Sequence, residues 1–137
     1  MPGDLPDYYF RIRENGAVVF RVDTENRQRR IEMLELATVN VKNGNIKPHG
    51  DVTLSPEDLK TIRDWMAART ALLAQRDIDD IHRAVDYLNL TTQWAQTRAT
   101  DAQLDDVTDA LLLAMHDLRS VLVRRKADRI ARDAAAE

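Results

Sequence analysis

After Pro56 the chain runs for 81 residues without a single glycine or proline. A stretch of that length, free of the two residues that punctuate backbone structure, is built for long helices. Its clearest part is Thr100–Arg125. Leu104, Val107, Leu111, Ala114, Leu118 and Val121 recur there at alternating steps of three and four, and so lie along one stripe of an α-helix. Thr100 and Gln103 form a capping-box pair at its start. Asp101, Asp105, Asp106 and Asp109 place negative charge at the positive end of the helix dipole, and Arg119, Arg124, Arg125 and Lys126 do the converse at the other end.

Leu112, Leu113, Met115, Leu122 and Val123 widen that stripe beyond what one neighbouring helix can shield. Full burial of each large apolar side chain is worth about 1.5–3 kcal/mol. Two neighbours are therefore expected, from this chain or from a second copy.

Ser55-Pro56-Glu57-Asp58 marks the first helix start: a capping hydroxyl, proline at the first helical position and acids in the first turn. Leu59, Ile62, Trp65, Met66, Leu72 and Leu73 give this helix its apolar face. Around Gln75–Asp80 the phase changes, with Ile78, Ile81, Val85, Leu88 and Ala95 in a different heptad frame. A break there, with Asp77 and Asp80 as caps, gives three helices; one bent helix from Pro56 to about Arg98 is the competing reading. The helix ending near Arg98–Ala99 joins the Thr100 helix almost without a loop, which predicts an antiparallel helical hairpin.

The first 50 residues read differently. Tyr8, Phe10 and Ile12 alternate with Tyr9, Arg11 and Arg13, and Val18, Phe20 and Val22 alternate with Val19, Arg21 and Asp23. Asn15-Gly16 between them signals a hairpin. A three-residue loop, Glu14-Asn15-Gly16 with Gly16 in the left-handed region, would pair Ile12 with Val18, Phe10 with Phe20 and Tyr8 with Val22, keeping one face apolar. Residues 24–30 form a polar connection. Ile31–Val41 is a third strand whose parity changes near Leu34–Glu35, which predicts a bulge there or cover on both faces. Asn43-Gly44 is a second hairpin signal, returning Asn45–Lys47 as a short edge strand.

The fold class expected is α+β: an N-terminal antiparallel β-meander of three to four strands (1–50) packed on a helix, followed by a C-terminal helical hairpin or three-helix bundle (51–137). Residues 126–137 are expected to fray.

Composition narrows the function classes. Zero cysteines exclude disulfides, thiol catalysis, iron–sulfur clusters and cysteine zinc sites, and fit a cytoplasmic protein. No apolar run reaches membrane-spanning length, and residues 1–7 lack the pattern of a signal peptide. Sixteen of the twenty basic residues are arginine, as a GC-rich bacterial genome produces. His49, His82 and His116 do not repeat at metal-ligand spacing, and Asp79-x-x-His82 is a single carboxylate–histidine step where a di-iron bundle needs two. No phosphate-binding loop or nucleophile elbow is present. The chain is therefore read as non-enzymatic, with no catalytic, cofactor-binding or metal-ligating residues and no cofactor.

Two roles remain. The first is a small protein-interaction, assembly or regulatory module, a homodimer or the partner of another protein. Its interface would draw on Leu111, Leu112, Met115, Leu122, Val123 and Trp94. The alternative is a nucleic-acid-binding regulator using Tyr9, Arg11, Arg13 and Arg21 on the outer face of the first hairpin, with Arg27, Arg29 and Arg30 nearby. Residues 1–50 carry eight Lys or Arg against seven Asp or Glu, so the focused positive field of a nucleic-acid site is lacking and the interaction role is favoured.

Overall fold

The computed structural model describes residues 5–23 and 31–137; the expected connection at 24–30, with Arg27, Arg29 and Arg30, and the first four residues lie outside them. Four strands come first: β1 (Tyr8–Arg13), β2 (Gly16–Asp23), β3 (Glu32–Asn40) and β4 (Asn45–Pro48). Two helices follow, α1 (Pro56–Thr97) and α2 (Asp101–Ala136). The strands form one antiparallel sheet in the order β1-β2-β3-β4, the meander expected from the hairpin signals. The fold is α+β. The chain divides into two compact units, residues 1–81 and 82–137, and α1 contributes to both. The first unit thus extends past residue 50, because the sheet is sealed by the first turns of α1.

The first hairpin differs from the expected register by one residue. Glu14 and Asn15 form the turn, and the pairs are Arg13 with Gly16, Ile12 with Ala17, Phe10 with Val19, Tyr9 with Phe20 and Tyr8 with Arg21. Gly16 is not in the left-handed region; of the described glycines, Gly44 and Gly50 are. Its place in the strand is set by β3, since a Cβ at position 16 would stand 1.9 Å from the carbonyl oxygen of Val39. Glycine is used here for a close approach of two backbones rather than for a turn.

This register turns Ala17 and Val19 inward, where both are fully buried, and Phe20 outward. Phe20 is covered by Tyr9, with ring centroids 6.2 Å apart, and by the Arg11 guanidinium 4.6 Å above its ring. Leu36 is skipped in the β2–β3 pairing, where Val19 meets Ala37 and Phe20 meets Glu35. The bulge restores parity, so Leu36, Ala37 and Val39 all reach the core. The β3–β4 loop is held by Asn40, whose side-chain oxygen accepts from the Lys42 and Asn43 amides, with Gly44 left-handed (φ 76°).

Ile62 and Met66 from α1 complete this core, and Trp65 stacks on Phe10 with centroids 4.6 Å apart and planes within 5°. The break expected near Gln75–Asp80 is absent: α1 is one continuous helix of 42 residues. With no glycine or proline inside it, nothing in the backbone interrupts the helical ladder, and a change of hydrophobic phase alone does not end a helix. That phase change falls close to the boundary between the two units. Likewise α2 stays helical to Ala136, through the segment expected to fray.

Candidate interaction surface

The second unit is built from the C-terminal part of α1 and all of α2, joined by Arg98-Ala99-Thr100. The Arg98 and Ala99 amides both donate to the Trp94 carbonyl, closing α1. Thr100 opens α2 with the expected box: its hydroxyl accepts from the Gln103 amide (3.2 Å), and its own amide donates to Gln103 Oε1 (3.0 Å).

Beside this junction lies an open groove of about 660 Å³. Tyr87, Leu88, Leu90 and Trp94 supply one wall from α1, and Val107 and Leu111 the other from α2, with Arg98 and Asp106 among the polar lining. Leu104, Val107 and Leu111 are half-buried; from Leu112 onward every residue of α2 is exposed. Leu112, Leu113, Met115, Leu118, Val121, Leu122 and Val123 stand 43–66% open to solvent.

The residues named from the sequence therefore fall into two groups. Trp94 and Leu111 line the groove. Leu112, Met115, Leu122 and Val123 lie on the uncovered length of α2 beyond it. The sequence pointed to the surplus of apolar surface but not to a groove, because only the tight Arg98–Thr100 connection brings Tyr87 and Leu90 near Val107 and Leu111.

In the first unit the outer-face cluster loses a member. Tyr9, Arg11 and Arg13 share one face of β1, but in the observed register Arg21 belongs to the other face and donates to Asp58 Oδ1. The Tyr8 hydroxyl donates to the same oxygen (2.6 Å), and the Ser55 amide donates to Oδ2 (3.0 Å) while the Asp58 amide donates to Ser55 Oγ (3.0 Å). Asp58 is 2% exposed. Burial alone would push its carboxyl up, but the hydrogen bonds from Tyr8, Ser55 and Arg21 outweigh that and bring it down to about 2. Burial and the bond to this carboxylate raise the Tyr8 phenol above its usual range. From the sequence Asp58 is only one of the acids in the first turn of α1, and this assembly was not anticipated. The signal for it was an arginine in β2 whose position turns inward once the register is right.

The Asp58 oxygens are thus committed to structural partners. His49 Nδ1 lies 2.8 Å from Glu35 Oε2 on exposed surface, and His116 has the adjacent Asp117 at 3.4 Å. Among the described residues no group of three or more His, Cys, Asp or Glu is placed to hold a metal ion, and no helix is long and apolar enough to cross a membrane. No protein-family model, curated protein or solved structure matches this chain.

Proposed function

We propose that this chain is a non-catalytic interaction and assembly module of the cytoplasm that self-associates through its C-terminal helices. One observation carries the reading: no residue between 82 and 137 is buried, although that unit holds most of the large apolar side chains of the helical half. Exposed apolar surface on this scale is characteristic of a protein-binding region. A second copy supplies the same surface and satisfies both at once. The cysteine-free composition suits a reducing compartment.

The nucleic-acid alternative draws less support, since Arg21 is committed to Asp58 and Arg11 lies over Phe20. Light scattering on a sizing column tests the proposal. The wild-type chain is expected to be dimeric at micromolar concentration, and Leu122→Asp monomeric with unchanged helix content by circular dichroism. A wild-type monomer across that range refutes it.

A further inference from the structure

The charge on α2 is divided by halves. Residues 101–118 carry five Asp and no Lys or Arg, whereas residues 119–136 carry six Lys or Arg against two Asp. The acidic half is the one that walls the groove, with Asp106 in the lining beside Val107 and Leu111. The basic half follows the uncovered apolar segment, where Met115, Leu118, Val121 and Leu122 are each more than two-fifths exposed and Arg119 and Arg124 stand alongside. Arg98 also lines the groove, from the connection before α2, so the charge contrast lies along α2 itself: its groove-walling half is acidic, and its uncovered half turns basic from Arg119 onward.

We infer that the groove receives the Met115–Val123 segment of a second copy of this chain, inserted reciprocally so that the two α2 helices run antiparallel about a two-fold axis. This rests on the self-association proposed above and adds its orientation. With the axis near Leu112 and Leu113, Leu104 lies opposite Val121 of the second copy and Val107 opposite Leu118. The same symmetry sets Arg119 and Arg124 beside Asp106 and Asp101. Each contact occurs twice, as an isologous interface requires. A parallel pair would instead bring the Asp101–Asp109 cluster against its own copy and the Arg119–Arg132 cluster against its own, and such like-charge juxtaposition is unfavourable.

Three measurements on this chain test the orientation. By light scattering, the wild-type dimer is expected to weaken at least tenfold between about 50 and 500 mM salt, because screening removes the cross-helix attraction. A monomer at every concentration removes the underlying self-association; a dimer that salt leaves unchanged or strengthens overturns only the charge-directed pairing.

Because the chain has no cysteine, Ala127→Cys provides a single labelling position on an exposed helix face. At a rise of about 1.5 Å per residue, spin labels there should be about 45 Å apart in the antiparallel dimer and about 20 Å apart in a parallel one. The shorter distance overturns the inference. Finally, Asp101→Lys/Asp106→Lys and Arg119→Glu/Arg124→Glu should each weaken homodimerisation at least tenfold, and an equimolar mixture should recover wild-type affinity as a heterodimer. A mixture that stays monomeric overturns it.

Discussion

The two units spend similar apolar material in opposite ways. In the first, Ala17, Val19, Leu36, Ala37, Val39, Ile62 and Met66 close into one core, with the buried Asp58 beside it paired to a half-exposed Arg21. In the second, leucines, valines and isoleucines just as large remain open along two helices, and none is buried. Hydrophobic content alone therefore does not say whether a segment completes itself. A sheet needs a single covering element, and α1 supplies it; a helix with apolar residues on several faces needs more cover than one neighbour joined by three residues can give.

That contrast can be broken by substitution. The largest effect should come from Ile62→Ala: it removes a fully buried side chain between α1 and the sheet, and should cost about 2–5 kcal/mol in denaturant unfolding. Next, Gly16→Ala forces a methyl group into the Val39 carbonyl and should cost up to about 3 kcal/mol, either through strand displacement or loss of the hairpin pairing. An unchanged unfolding midpoint would show that β3 does not crowd that position.

Acid should act through Asp58. Its carboxyl titrates at about 2 in the folded chain against an ordinary 3.8, so the unfolded chain binds the proton first. The corresponding stabilisation, roughly 2 kcal/mol, is complete above about pH 4 and is lost as the pH falls towards 2. Asp58→Asn should flatten that part of the stability–pH curve. The smallest effect on folding belongs to the second unit. Leu118→Ala should change monomer stability by no more than about 0.5 kcal/mol, since the side chain is 57% exposed, while weakening the dimer. A large loss of monomer stability would mean that Leu118 is packed within its own chain.

Much of the fold was legible because it depends on local chemistry. Ser55 and Asp58 announce α1, Thr100 and Gln103 announce α2, and Asn43-Gly44 announces the last hairpin; each works through hydrogen bonds within a few residues. The register of the first hairpin was not legible in the same way. Ala17-Val18-Val19-Phe20 is apolar on both faces, so alternation cannot choose between them. The deciding contact, Gly16 against Val39, lies across the sheet. The same error hid the Arg21–Asp58 pair, whose partners are 37 residues apart. The continuity of α1 was obscured by treating a change in what the helix covers as a change in the backbone. For the interaction surface, the side chains were visible in the sequence, but the groove required the geometry of the Arg98–Thr100 turn.

The capping box at Thr100 starts a helix that nothing in its own unit encloses. A helix held largely by its own backbone ladder opens readily. Its amide protons should therefore trade with heavy water within seconds in dilute solution and slow sharply as protein concentration rises, while those of β2 and β3 hold steady. The 36 residues of α2 would in this way act as a built-in gauge of how much company the molecule keeps.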